Sequence, residues 1–318
     1  MTSSASLFTR HPLNPVLTGS MWPIPVNTVF NAAACRFEGE TLLLCRIEDR
    51  RGLSHLWVAR SEDGRGDWRI DDAPLLSPHP TYEGQLWGFE DPRVVFIPDL
   101  DAWAITCTAY GPLGPSVYLA TTKDFRSIDH AYGSIMPPDD KNAALLPTRI
   151  GDDWILFHRP NVAYSGGHGN IWISRSADLV TWRDPEIAMR ARHGAWWDSL
   201  RIGIGPPPLE IDEGWLLIYH GVRETVSGAT YRLGLALLER DNPTTVLRRS
   251  DEWVLGPVET YERLGDVTNV VFSCGATIDE STDSLDLYYG GADTCVALAT
   301  ASLSEVRAYL MECPVPTE

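Results

Sequence analysis

The chain has 318 residues, 44% of them apolar, with 43 acidic against 26 basic side chains and a net charge of −17. That apolar share supports a full hydrophobic core and excludes a disordered chain, while the acidic excess excludes nucleic acid and anionic membrane as natural partners. No apolar run reaches the roughly 18 residues that a membrane span needs.

In chain order, the first stretch, Met1–Pro12, is polar and lacks the apolar centre of a secretion signal. The six cysteines (Cys35, Cys45, Cys107, Cys274, Cys295, Cys313) are dispersed and form no CxxC pair, so they are expected as reduced core residues. The expectation is a soluble cytoplasmic protein without a bound metal. Five hairpin signals follow, each a pair of β-rich runs around a polar turn. They are Ala32–Phe37 with Leu42–Ile47, Arg93–Ile97 with Trp103–Ala109, Ala143–Ile150 with Trp154–His158, Pro207–Ile211 with Trp215–Tyr219, and Gly275–Ile278 with Leu285–Tyr289.

After each hairpin comes an alternating strand that ends in a small residue and polar turn residues: Leu56–Gly64, Val117–Phe125, Ile171–Leu179, Leu233–Leu238 and Val296–Ala301. Aligned on Ala59, Ala120, Ser174, Ala236 and Ala299, the copies step by 61, 54, 62 and 63 residues. Three strands per repeat, with a fourth in the connecting stretch and a period near 60, predict an all-β, five-bladed β-propeller in one domain spanning 1–318. A β-sandwich would not explain five regular steps. The only helical period is Leu303–Met311, a short C-terminal helix.

In a propeller the starts of the inner strands are neighbours in space. Here they read Asn27–Asn31, Gly88–Arg93, Asp140–Asn142, Asp198–Arg201 and Gly265–Asn269, all polar clusters beside apolar strands. The hairpin ends add Arg46–Asp49, Tyr110, His158–Arg159, Tyr219–His220 and Tyr288–Asp293. One group is rich in carboxylates (Glu48, Asp49, Glu90, Asp91, Asp293) and suits hydroxyl recognition or acid catalysis. The other (Arg46, Arg159, Arg201, His220, Tyr231) offers donors and cations for an oxyanion. The alternative for each Arg is a structural ion pair with a neighbouring carboxylate. Twelve tryptophans in an acidic chain also fit carbohydrate handling, since indole faces stack on sugar rings.

Arg46–Gly52, Gly88-Phe-Glu-Asp-Pro-Arg93, His158-Arg-Pro160, Arg201–Pro208, Gly214–Val222 and Tyr288–Asp293 together resemble glycoside hydrolase family 130. The resemblance implies a five-bladed propeller and inverting phosphorolysis of a β-mannoside to α-mannose 1-phosphate and a shortened saccharide. Inorganic phosphate is then the co-substrate and no further cofactor is needed. It implies Asp91 as general acid, which the residues allow if Glu90 and partial burial hold its proton. It also implies phosphate at Arg46, Arg159, Arg201, His220 and Tyr231, with Arg201 standing where the family carries Lys. Sugar contacts fall at Asn31, Lys141, Asn142 and Asp293, and many relatives have Asp in place of Asn142.

Two other readings stay open. One is an inverting hydrolase with Glu48, Asp49 or Asp293 as base, and the other is a non-catalytic sugar-binding propeller. Met21–Pro25, Tyr82–Trp87 and Ala195–Trp197 are candidates to wall the acceptor subsite, with core packing the alternative. The segments Trp196–Asp198 and Val222–Gly228 look most like members acting on β-1,2-linked mannosides.

Overall fold

Successive side chains of Glu40–Asp49 point to opposite sides, so Leu42 and Leu44 enter one core cluster while Leu43 and Cys45 enter another. A strand apolar on both faces needs a packed layer on each side, and the whole chain is arranged to supply it. The computed structural model describes residues 6–161 and 169–316. It is nearly all β, organised as antiparallel meanders.

The first meander is Val26–Phe37, Glu40–Asp49, Ser54–Ser61 and Arg69–Ile70. The second is Gly88–Ile97, Ala102–Gly111, Gly114–Thr122 and His130–Ser134, whose strand pairing with the first among the described residues is a single parallel one, Ser54–Gly88. Asp140–Leu145, Trp154–Pro160, Ile171–Ser176 and Arg183–Met189 form the third. Arg201–Ile204, Gly214–Thr225, Gly228–Leu238 and Val246–Arg249 form the fourth. The last is Val271–Asp279, Ser284–Gly291 and Cys295–Ser302, followed by the helix Leu303–Glu312.

The repeats and hairpins expected from the sequence therefore appear in order, with two differences. The inner strand of the fourth meander breaks after Ile204, because Pro206, Pro207 and Pro208 have no N–H to give a ladder. The fifth meander has no fourth strand after it. Instead the N-terminal Thr9–Arg10 and Leu17–Thr18 pair with the outer edge of Cys295–Ser302, an edge that would otherwise be unpaired.

Five hydrophobic clusters separate the meanders, and each is built by two neighbours. The first and second share Leu44, Val58, Phe89 and Ile105, the second and third Leu119 and Trp154, and the third and fourth Phe157 and Trp215. The fourth and fifth share Leu235 and Leu287, and the fifth and first share Leu298 and Ile47. The repeat-marking Ala59, Ala120, Ser174, Ala236 and Ala299 are all buried, where a larger side chain would push neighbouring layers apart. All six cysteines are buried and unpaired. Among the described residues no helix is long and apolar enough to cross a membrane.

Candidate active site

Three of the inner strands carry the same irregularity at the same register. Phe30 pairs with Arg46 and Ala33 with Leu44; Glu90 pairs with Thr108 and Arg93 with Thr106; Lys141 pairs with Arg159 and Ala144 with Phe157. Each inner strand thus holds one residue more than its partner, a β-bulge. The residue following the first pair lies in the left-handed region: Asn31 at φ 48°, Asp91 at φ 50°, Asn142 at φ 53°. Asn and Asp tolerate that conformation best among residues with a side chain. All three line one cavity of about 160 Å³.

Nine of the ten expected site residues line that cavity: Asn31, Arg46, Asp91, Lys141, Asn142, Arg159, His220, Tyr231 and Asp293. The tenth, Arg201, donates from Nη2 to the Tyr231 hydroxyl at 2.7 Å. Glu90 joins them, and Val267, Val270 and Phe272 form an apolar wall.

One side of the cavity is acidic. Asp91 Oδ1 accepts from Asn31 Nδ2 at 2.9 Å and from Arg46 Nη1 at 3.1 Å, while Arg46 Nη2 donates to Glu90 Oε1 at 2.9 Å. Arg46 also donates to Ser54 and lies 4.5 Å from the Phe30 ring centroid, which fixes its plane. Burial pushes Asp91 up, but Arg46, the Asn31 amide, Arg93 and Lys141 outweigh it and hold the carboxyl below its ordinary range. The expectation that Glu90 and burial keep Asp91 protonated is therefore corrected: in the free site it is ionised. Glu90 is pushed up by burial instead. Asp293 is raised to about 7, by burial first and then by the Asp91 charge.

The other side is cationic. Arg159 is buried, and with the Asn142 amide oxygen turned towards it, donates from Nε and Nη2 at 3.3 Å. Burial and the nearby Arg201 push the Arg159 guanidinium down to about 10. Lys141 is lowered by burial and by Arg159. Among the described residues no carboxylate lies within ion-pair distance of Lys141, Arg159 or Arg201. Arg46 differs, since its guanidinium is paired with Glu90 and Asp91. His220, expected as a donor or cation, is held neutral: burial, then Arg159, Arg93 and Arg201, drive its pKa well below the ordinary value. Its ring tilts on Phe272 at 4.6 Å, and its buried Nδ1 has no partner among the described residues. Gly203 lies beneath it, where a Cβ would run into the imidazole and the Asn142 amide.

Other expected positions lie elsewhere. Glu48 accepts from Asn27, and Asp49, held near 2 against burial by Arg51 and Leu53 hydrogen bonds, closes a turn. His158 is buried between Asp140 and Ser174, and the hydroxyls of Tyr219, Tyr288 and Tyr289 bond to Asp198, Gly64 and Glu262. None of Met21–Pro25, Tyr82–Trp87 or Ala195–Trp197 lines the cavity. Trp22 and Trp197 are core residues; Trp197 packs on Gly221 and Gly234 and stacks on Tyr219 at 5.6 Å. Arg93 and the apolar wall were not expected. An Arg after Pro92 gives no sign of burial, and Val270–Phe272 looks like ordinary strand core.

Buried carboxylates facing cations that have no carboxylate partner among the described residues, on an antiparallel scaffold, are the equipment of a carbohydrate-active enzyme. The chain belongs to glycoside hydrolase family 130, whose model, described as beta-1,4-mannooligosaccharide phosphorylase, matches residues 13–312. It is 33% identical over 308 residues to a beta-1,4-mannooligosaccharide phosphorylase of Ruminococcus albus, covering 95% of this chain and 90% of the relative. It is 37% identical over 254 residues to a beta-1,2-mannobiose phosphorylase of Listeria innocua, covering 80% and 68%. A solved structure of beta-1,2-mannobiose phosphorylase from Listeria innocua, in complex with beta-1,2-mannobiose, superposes with a TM-score of 0.86 at 30% identity, covering 96% of this chain and 99% of that one.

Proposed function

We propose that the protein is an inverting phosphorylase that cleaves a β-mannoside with inorganic phosphate, giving α-mannose 1-phosphate and a shortened saccharide. The observation that carries this is the Arg159 guanidinium, buried beside Arg201 and Lys141 with no carboxylate partner among the described residues. It is arranged for an anion that the protein itself does not provide. Buried charge without such a partner is costly, so an incoming oxyanion gains the full interaction.

In this reading Arg159, Arg201, neutral His220 and Tyr231 orient phosphate, with Arg46 on its flank. Asn31, Lys141, Asn142 and Asp293 hold sugar hydroxyls. A phosphate oxygen attacks the anomeric carbon from the face opposite the departing group. The bond to the glycosidic oxygen breaks with its electron pair, and that oxygen takes the proton delivered by Asp91. Arrival of the phosphate charge offsets the positive field of Lys141, which is part of what keeps Asp91 ionised. Phosphate binding thereby loads the acid. Phosphate is the only co-substrate the scheme uses.

The five meanders are, in this reading, the blades of a five-bladed propeller forming one domain. The sharing of a core cluster between every neighbouring pair, the fifth with the first included, supports it. The β-1,2 linkage is favoured by the likeness to the Listeria innocua enzyme. A cytoplasmic location is in keeping with six unpaired buried cysteines. Of the three candidate bases for hydrolysis, Glu48 and Asp49 lie outside the cavity, which leaves Asp293 as the one through which a hydrolase would work. The test is β-1,2-mannobiose with and without phosphate. Turnover that requires phosphate and yields α-mannose 1-phosphate is expected, whereas mannose release without phosphate overturns the reading.

A further inference from the structure

On the strand Gly228–Leu238, Tyr231 lines the catalytic cavity, while its neighbours Thr230 and Arg232 line a different one. Neighbouring residues of a strand face opposite sides, so the two cavities are separated by this hairpin. The second cavity, about 490 Å³, is within the size range of small-ligand sites and larger than the catalytic one.

Its floor is aromatic. Trp196 is 41% exposed and Trp253 48%, unusual for residues of this size. Both are held in place: the Arg192 guanidinium lies 4.4 Å from the Trp196 ring centroid and Arg232 lies 4.4 Å from that of Trp253. Arg192 is itself fixed by the Ser250 carbonyl at 2.9 Å and the Asp251 carboxylate at 3.1 Å. Around these rings stand Arg223 and Arg232 against Asp251 and Glu252, two charges of each sign. A lining with balanced charge repels neither sign and attracts neither, but it supplies fixed donors and acceptors. A smaller cavity of about 270 Å³ shares Glu252 and Trp253, so the aromatic shelf continues past Trp253.

We propose that this shelf is a second saccharide-binding site, for a chain of several β-linked mannose units. The inference rests on the reading of the protein as a β-mannoside phosphorylase for the identity of the sugar. A pyranose has an apolar face of C–H groups and an edge of hydroxyls, which matches indole floors bordered by carboxylates and guanidiniums. Two cavities that adjoin at Glu252 and Trp253 suit an extended chain over a single sugar. Binding there holds a long substrate near the catalytic cavity and raises its effective concentration.

The test uses the full-length chain in phosphate-free buffer, titrated calorimetrically with β-1,2-mannotetraose. Two sites are expected for the unaltered protein and one for the Trp196→Ala/Trp253→Ala variant. With phosphate present, the variant should turn over mannobiose with unchanged kcat and KM, while its KM for long mannan rises severalfold. Trp253→Leu keeps bulk without the indole face, so the same loss in that variant, at an unchanged melting temperature, rules out misfolding as the cause. A single site in the unaltered protein overturns the proposal. So does a variant that keeps both sites, or one whose only change is a smaller mass in sedimentation, which would make the shelf a contact between copies of the chain. Failure of mannobiose to need phosphate would overturn the activity reading alone and leave the stoichiometry standing.

Discussion

Arg93 donates from Nη1 to the main-chain oxygen of Asp91, two residues earlier on the same strand, at 2.9 Å. Its Nη2 and Nε reach across to the Ile204 and Gly205 carbonyls at 2.9 and 2.6 Å, so one fully buried guanidinium ties the bulge that presents Asp91 to the inner strand of the fourth meander. The backbone at Asp91 is left-handed, and this clamp supports that conformation.

Arg93→Met leaves three carbonyls without their donor in a dry interior, each worth about 1–3 kcal/mol. The melting temperature should fall. Because a displacement of about 1 Å at a reacting group costs on the order of a hundredfold in rate, kcat should fall by at least that much. KM for phosphate should move little, since the cationic side is built from other residues. An unchanged kcat in a folded Arg93→Met protein contradicts the positioning role.

Truncating the cationic side has the opposite signature. Arg159→Ala removes a charge-assisted contact worth about 1.5–3 kcal/mol, so phosphate affinity should weaken by roughly tenfold to over a hundredfold. Affinity for the mannoside should change much less. Arg159 is buried without a carboxylate partner among the described residues, so its loss relieves a desolvation cost and the melting temperature should hold or rise. A lower melting temperature with an unaltered phosphate saturation curve would instead make Arg159 a scaffold residue.

Much of this was legible in the sequence because its carriers are local. Period-two alternation and the small residue closing each third strand mark the repeats, and the polar starts of the first three inner strands converge in the cavity, whereas Asp198 is buried against Tyr219 and Arg249 and Gly265–Asn269 contributes only Val267. What was not legible depends on long-range charge and burial. That Arg46 belongs to the carboxylate side is set by a partner 45 residues away, while Arg159 meets no carboxylate among the described residues, and no spacing encodes either. The same holds for the proton: Asp91 and Glu90 are adjacent in the chain, yet Arg46, Asn31 and Arg93 draw the negative charge to Asp91 and leave Asp293 as the carboxyl near neutrality. The tryptophans mislead because Trp196 and Trp197 look alike in sequence, but one is surface shelf and the other core.

An anion on the cationic side should draw protons into the site. A dianion near His220, Asp91 and Asp293 favours the protonated form of each, and Asp293, near 7, is poised to respond at neutral pH. Sulfate serves as a stand-in because it does not titrate in this range. Calorimetry of sulfate binding at pH 7, in buffers of different ionisation enthalpy, should show net proton uptake by the protein. Asp293→Asn should reduce that uptake. Release of protons, or none exchanged, contradicts the electrostatic coupling between the two sides of the cavity.

Asp293 also makes stability depend on pH. Its folded-state pKa of about 7 lies above the ordinary carboxyl value of about 3.9, so the folded protein binds a proton that the unfolded chain has lost in between. The associated stability is present in full below about pH 4 and is lost as pH rises through 7. Above 7 the folded state carries a buried negative charge beside Asp91 with no compensation from protonation. Asp293→Asn removes that charge while keeping the shape of the side chain. It should therefore raise the unfolding free energy by on the order of 1–3 kcal/mol at pH 8 and by little at pH 4. Denaturant unfolding of both proteins at the two pH values checks this. A gain that is equal at pH 4 and pH 8 would show that the effect of the substitution is packing and not charge.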